Sequence, residues 1–146
     1  QAYPDVTAIY VDLPVNMAIA AHYFSKRFPH RVNLVWQNTD TIRHGMINVL
    51  APWFIDRIDV EVDLMINFTS LQHMPQSVAE YYFSELISTK VRYLYHENRL
   101  APRSHHEGEG CLGTLSKRSE MDICHSIELP TRIPIFSEFI RNPRVE

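Results

Sequence analysis

The chain has 146 residues, of which 45% are hydrophobic and 21% are charged, and this composition is typical of one folded domain and not of a disordered segment. The formal charge of −3 and the absence of a basic stripe argue against nucleic acid as a principal partner. Only four glycines occur and Gly45 alone precedes residue 108, which excludes a complete glycine-loop nucleotide site in the first hundred residues.

The chain opens with alternating strand and helix patterns. The β-prone run at residues 6–11 predicts a strand buried on both faces that stops at Asp12. Pro14 is suited to the first position of a helix that ends at Pro29. The apolar face predicted for this helix comprises Met17, Ala20, Ala21, Phe24 and Phe28.

Further strands are predicted at residues 31–36, 47–50, 62–68 and 91–95. A second helix precedes the last of them, with Val78, Ala79, Tyr82, Phe83 and Leu86 on one face. Strands and helices that alternate with short connections indicate a parallel sheet covered by helices. The fold class predicted for residues 5–99 is therefore α/β, Rossmann-like, with a mostly parallel sheet and helices on both faces.

The pattern weakens in residues 100–146, which we predict to be an irregular segment of the same single domain. Residues 101–121 have the composition of a long exposed loop, and residues 122–129 and 133–140 fit either short strands or a terminal helix. Residues 108–113 spell G-x-G-x-x-G, but no strand precedes them and no helix follows, so the spacing does not predict a nucleotide site.

Polar residues follow the predicted strands where a parallel sheet binds ligands, at the carboxyl ends. Asp12 is the most informative of these, because a carboxylate there can accept both hydroxyls of an adenosine ribose. The alternative is that Asp12 caps the helix that begins near Pro14. Asn67 and Ser70 lie at the end of the strand at residues 62–68.

The sequence Asp12-Leu13-Pro14 and the strand and loop at residues 63–74, DLMINFTSLQHM, resemble the sugar O-methyltransferases, a family of S-adenosylmethionine-dependent class I methyltransferases. The residues Tyr81-Tyr82-Phe83 and Asn98 also match, and the resemblance covers about residues 5–99. The family's glycine-rich turn, which holds the methionine end of the cofactor, would fall ahead of residue 1. We therefore expect an N-terminally truncated, partial methyltransferase-like domain that belongs to a longer enzyme.

The resemblance implies S-adenosylmethionine as cofactor and a sugar or glycoside hydroxyl as methyl acceptor. It assigns cofactor binding to Asp12, Leu13, Trp53, Asn67 and Ser70, with Asp12 on the ribose and Trp53 near the adenine.

A base must also take the hydroxyl proton, and a histidine with a pKa near 6.5 suits that role. The candidates are His73, which replaces the acidic residue usual in the family, and His96. A surface or capping role is the alternative for each histidine.

Two other functions fit the same residues. A nicotinamide-dependent reductase also uses a ribose-binding carboxylate after a strand. A catalytically inactive, methyltransferase-like binding module is the other alternative, and a homo-oligomer is possible because exposed strand edges promote association.

Metal binding and a membrane location are not expected. No His or Cys pair has the spacing of a zinc site, and no apolar run reaches the roughly 18 residues that span a bilayer. Two cysteines, Cys111 and Cys124, are too few for a disulfide framework, which favours a cytoplasmic location.

Overall fold

A computed structural model describes residues 5–99, 118–129 and 135–145. The chain divides into two compact units, Gln1–Val60 and Glu61–Glu146. Each unit contains one β-sheet, and each is described below by itself. The G-x-G-x-x-G spelling at residues 108–113 lies outside the described residues.

The first unit contains a three-stranded parallel sheet in the order β1-β3-β2. The strands are β1 (Ala8–Val11), β2 (Val32–Val35) and β3 (Ile47–Leu50). The central strand β3 is the most deeply buried, since Asn48, Val49 and Leu50 have no exposed surface. The pairing confirms the parallel arrangement predicted for these strands.

A buried asparagine joins all three strands of the first sheet. Asn48 Oδ1 accepts hydrogen bonds from Asn33 Nδ2 of β2 and from the backbone N–H of Arg43, both at 2.8 Å. Its Nδ2 donates to the backbone oxygens of Ala8 and Arg43, at 3.2 and 3.0 Å. A buried amide is costly unless its hydrogen-bond partners are in place, so Asn48 fixes the register of the three strands.

The helix α1 (Pro14–Arg27) follows β1 and begins with proline at its first position, as predicted. Lys26 and Arg27 lie in its last turn, where positive charge interacts favourably with the carbonyl end of the helix. Of the predicted apolar face only Met17 is buried, and Phe28 is 37% exposed. The helix also carries apolar residues on other faces, including Ile19 and Tyr23, and these remain exposed. A short 3₁₀ helix, Pro52–Arg57, follows β3.

The second unit contains a four-stranded sheet in the order β4-β5-β7-β6. Its strands are β4 (Val62–Phe68), β5 (Val91–Asn98), β6 (Asp122–Leu129) and β7 (Ile135–Arg141). β4 and β5 are parallel, whereas β7 is antiparallel to both β5 and β6. The sheet is therefore mixed, and the fold class that the chain supports is mixed α/β.

The antiparallel strands account for part of the segment predicted to be irregular. β6 has the bounds predicted from the sequence, and β7 begins two residues after the start of the predicted run at residues 133–140. The choice between strands and a terminal helix is thus resolved in favour of strands. β6 is exposed along nearly its whole length because it forms the edge of the sheet.

A helical segment connects β4 to β5. It consists of α2 (Gln76–Tyr82), a π-helical turn (Phe83–Ile87) and a final α-helical turn, α3 (Ser88–Lys90). The side chains predicted to face the core are buried here except Val78, which is 39% exposed. In the part of the chain that the structure describes, no helix has the length and apolar character needed to cross a bilayer.

Candidate functional site

The three cofactor-binding residues predicted in the first unit, Asp12, Leu13 and Trp53, follow strands at the carboxyl end of its sheet. The parallel register places Val11, Val35 and Leu50 level with one another. The residues that follow them therefore emerge at the same edge, and the backbone N–H of Asp12 donates to the carbonyl of Leu50 at 3.4 Å. Beyond this edge, Leu13 and Trp53 are each 61% exposed. Trp36, which follows β2, is also exposed.

Three hydrogen bonds hold the Asp12 carboxylate. Oδ1 accepts from the backbone N–H of Leu13 at 2.7 Å and from Asn16 Nδ2 at 3.0 Å. Oδ2 accepts from the Tyr10 hydroxyl at 2.8 Å. The helix that follows has Leu13 as its N-cap and has no side-chain cap hydrogen bond. Asp12 therefore does not cap α1 in the usual way, through the N–H groups of the first turn.

The same hydrogen bonds determine the charge states of Asp12 and Tyr10. Burial raises the pKa of the Asp12 carboxyl, but the three hydrogen bonds outweigh burial and hold that pKa below its usual value. Burial, together with the hydrogen bond to Asp12 and its negative charge, raises the pKa of the Tyr10 phenol to about 12. At neutral pH the edge thus presents a carboxylate and a neutral phenol that donates to it.

An open cleft of about 570 Å³ lies beside this carboxylate. Its polar lining comes from Asp12 and Asn16, and its walls are otherwise apolar and aromatic. Tyr10 and Tyr23 both pack edge-to-face against Phe24, with ring centroids 5.8 Å apart in each pair. The residues that line the cleft are Tyr10, Asp12, Asn16, Ile19, Ala20, Tyr23 and Phe24.

In the second unit, three side-chain amides form a network at the carboxyl ends of β4 and β5. Asn98 Nδ2 donates to Asn67 Oδ1 at 3.0 Å, and the backbone N–H of Leu71 donates to the same oxygen at 3.2 Å. Asn98 Oδ1 accepts from the backbone N–H of Gln72 at 3.3 Å. Gln72 Oε1 in turn accepts from the backbone N–H of Arg99 at 2.8 Å. Asn67 is thus engaged in fixing the turn that leaves β4.

This turn leaves the predicted loop residues accessible. Thr69 adopts a positive φ of 54°, uncommon for a β-branched residue, and its backbone N–H donates to the carbonyl of Glu97 at 2.7 Å. Ser70 and His73 are exposed. His73 Nε2 lies 3.3 Å from Gln72 Nε2. Because the Gln72 oxygen accepts from Arg99, the Gln72 amide presents a donor to His73, which favours the tautomer protonated at Nδ1.

His96 lies in a different environment from His73. Its side chain has no exposed surface, and its Nε2 lies 3.1 Å from Oε2 of Glu138, which is also buried. Nδ1 of His96 has no hydrogen-bond partner among the described residues. In this conformation the imidazole does not contact solvent, whereas a general base must reach a substrate hydroxyl. Its surroundings therefore favour a structural role, and its catalytic assignment stays a prediction.

Glu138 is the centre of a buried polar cluster. It lies opposite His96 of β5 and opposite Ser126 of β6 in the strand register. Oε1 accepts from the Ser126 hydroxyl at 3.0 Å, and Oε2 accepts from the Arg118 guanidinium. Burial raises the pKa of Glu138, but the contacts with His96, Arg118 and Ser126 outweigh it and lower the pKa to about 2.

Three residues make hydrogen bonds that support these groups but are not among the site residues identified from the sequence: Asn16, Gln72 and Glu138. Asn16 lies four residues after Asp12 in the first turn of α1, and this spacing was a usable signal. Glu138 gave no such signal because its partners come from three separate parts of the chain. Among the residues that the structure describes, no group of three or more His, Cys, Asp or Glu side chains is placed to hold a metal ion.

Comparison with known proteins gives a likeness in fold. No protein-family model matches the chain, and no curated protein matches it. Solved structures of LepI in complex with SAM, and of a LepI variant with SAH and a substrate analogue, align with a TM-score of 0.52 and 9% identity. A structure described as a pericyclic reaction enzyme aligns equally well. Each alignment covers 97% of this chain and 44% of the other, so the chain spans less than half the length of these proteins. The likeness shows that the chain shares its fold with part of LepI.

Proposed function

We propose that this chain is part of an S-adenosylmethionine-dependent methyltransferase that acts on a hydroxyl group of a sugar or glycoside. The observation that carries the proposal is the Asp12 carboxylate, which is ionised and lies at the carboxyl end of β1 beside an open cleft. The fold shared with LepI, which was crystallised with SAM and with SAH, supports the choice of cofactor. The sugar acceptor rests on the sequence resemblance of residues 5–99.

The residues at this edge suit an adenosine. Asp12 offers an acceptor to a ribose hydroxyl, and the exposed indole of Trp53, two residues beyond Ala51 at the same edge, offers a flat apolar surface for adenine. Leu13 adds apolar surface next to the carboxylate. S-adenosylmethionine, when bound, supplies a methyl group on a positively charged sulfur, and its transfer is an in-line displacement by the acceptor oxygen.

The protein's own tasks in this reaction are alignment and removal of a proton. His73 is the base that we favour, because it is exposed at the end of the β4 turn and the Gln72 amide favours an unprotonated Nε2. The hydroxyl proton would pass to Nε2 as the oxygen–methyl bond forms, and it would take the place of the hydrogen bond that Gln72 donates to this nitrogen. Ser70 lies in the same turn and Asn67 near the end of β4, and we assign both to the border between cofactor and acceptor.

Calorimetric titration of the full-length protein with S-adenosylmethionine tests the proposal. We expect binding in the micromolar range, and we expect Asp12→Asn to weaken it about 10- to 100-fold, the usual effect of losing hydrogen bonds to a charged group. Asp59→Asn is the matched control, since Asp59 is an exposed carboxylate of the same unit. Titration with NADH and NADPH distinguishes the reductase alternative. Absence of S-adenosylmethionine binding, or tighter binding of a nicotinamide cofactor, would contradict the proposal.

A binding module without catalytic activity is the second candidate. Leu64, Ile66 and Phe68 lie on one face of β4 and are 47%, 56% and 57% exposed, and a contiguous apolar row of this kind commonly marks a contact surface. Sedimentation analysis of the full-length protein and of Ile66→Lys tests this function. Association that the substitution abolishes, together with no S-adenosylmethionine binding, would support the module over the enzyme.

A further inference from the structure

The Asp12 carboxylate lacks enough free acceptor positions for a ribose. An ionised carboxylate offers about four lone-pair positions, two on each oxygen. The bonds from Leu13 and Asn16 occupy both positions on Oδ1, and the bond from Tyr10 occupies one on Oδ2. One position remains, whereas the two adjacent hydroxyls of a ribose bring two donors.

Asn16 has the missing acceptor. Because an ionised carboxylate only accepts, the Asn16 amide must turn its NH₂ group toward Asp12, which assigns Nδ2 and Oδ1 without ambiguity. The carbonyl Oδ1 of Asn16 accepts no hydrogen bond from any residue in the described ranges. The side chain is exposed, and it lines the same cleft as Asp12.

We propose, on the basis of the function proposed above, that Asn16 and Asp12 divide the ribose between them. Oδ2 of Asp12 accepts one hydroxyl, and Oδ1 of Asn16 accepts the other. The hydrogen bond between the two side chains holds both residues in place in the lining of the cleft before a ligand arrives, so binding has to order them little further. Tyr10 serves as a positioning residue, since its hydroxyl fixes the orientation of Oδ2.

This division makes Asn16 a residue that determines specificity for a ribose over a deoxyribose. A site built to pair with a hydroxyl discriminates strongly against an analogue that lacks it, because its acceptor then loses its partner. Each of the two hydroxyls should therefore depend on a different side chain. Removal of Asn16 should affect recognition of one hydroxyl and leave recognition of the other to Asp12.

The experiment measures binding of S-adenosylhomocysteine and its 2′-deoxy and 3′-deoxy analogues by calorimetry, with the full-length protein and Asn16→Ala. We expect Asn16→Ala to weaken binding of S-adenosylhomocysteine about 5- to 20-fold, as for loss of one hydrogen bond. It should abolish discrimination against one deoxy analogue and preserve discrimination against the other. Ser25→Ala, an exposed polar residue of the same helix, should change neither ratio.

The possible failures are distinguishable. If the unaltered protein binds S-adenosylhomocysteine and Asn16→Ala keeps both discrimination ratios, Asn16 has no part in ribose recognition and the inference is overturned, while the proposed function stands. If the unaltered protein does not bind S-adenosylhomocysteine, the proposed function fails and this inference fails with it. Thermal unfolding followed by circular dichroism confirms that the variants are folded.

Discussion

Glu138 shows how a single residue can determine the acid stability of the second unit. The residue is only 2% exposed, yet the surrounding donors keep its pKa at about 2, below the usual 4.5. The folded protein therefore binds the Glu138 proton less tightly than the unfolded chain. The resulting stabilisation is present above pH 4.5 and is lost as the pH falls from 4.5 toward 2, and it amounts to about 3 kcal/mol.

Glu138→Gln tests this relation. We expect the free energy of unfolding at pH 7 to fall by about 3 kcal/mol, because the substitution leaves the partly buried Arg118 charge without its carboxylate. The loss of stability between pH 4.5 and 2 should also become shallower. Urea unfolding at several pH values measures both effects. Glu128→Gln, an exposed carboxylate on β6, is the matched control, and equal pH dependence in both variants would contradict the argument.

At the scale of elements, the helix between β4 and β5 combines a regular pattern with an irregular backbone. Phe83 begins the π-helical turn and has no exposed surface, and Leu86 and Ile87 in the same turn are also buried. These three residues are spaced i, i+3, i+4, so the π-helical turn keeps on the buried side the residues that a regular helical periodicity places there. Ile87 thus extends the buried face that the sequence pattern identified by one residue.

Phe83→Ala should be strongly destabilising because the Phe83 side chain has no exposed surface. Loss of a fully buried phenylalanine costs about 3–5 kcal/mol, through lost burial and through the cavity left behind. Tyr81→Ala is the matched control, since Tyr81 lies two residues earlier on the same helix and is 46% exposed; we expect it to cost less than about 1 kcal/mol. Thermal unfolding followed by far-ultraviolet circular dichroism measures the difference. A similar decrease in both variants would show that the helix is not anchored through Phe83.

The bounds of the strands follow from the local sequence, whereas the pairing between strands does not, and the reason is physical. β4 and β6 have the predicted bounds because their composition is local information, as is the proline that begins α1. Antiparallel insertion of β7 between β5 and β6 depends on contacts distant in sequence, so no local pattern shows it. For the same reason the site predictions found Asp12 and Asn67 at strand ends but missed Glu138.

At the scale of the whole molecule, each unit has its own means of fixing its sheet. Asn48 joins β1, β2 and β3 in the first unit, and the amides of Asn67 and Asn98 join β4 to β5 in the second. Each unit also has its own buried apolar side chains, such as Val49 and Leu50 in the first. A substitution that damages one core should therefore lower stability first within its own unit, because proteins unfold locally in cooperative segments that coincide with compact structure.

Hydrogen exchange measured by mass spectrometry tests this on two variants. Asn48→Ala leaves the buried Asn33 amide and the partly buried backbone groups of Arg43 without their partner, at a cost of about 3 kcal/mol. It should lower protection mainly in residues 5–60. Phe83→Ala should lower protection mainly in residues 61–99 and in the described strands β6 and β7. Asn38→Ala, an exposed asparagine of the first unit, should change neither. Equal loss across both units in either variant would mean that the chain opens as one cooperative body, and the division into two units would then describe its geometry but not its energetics.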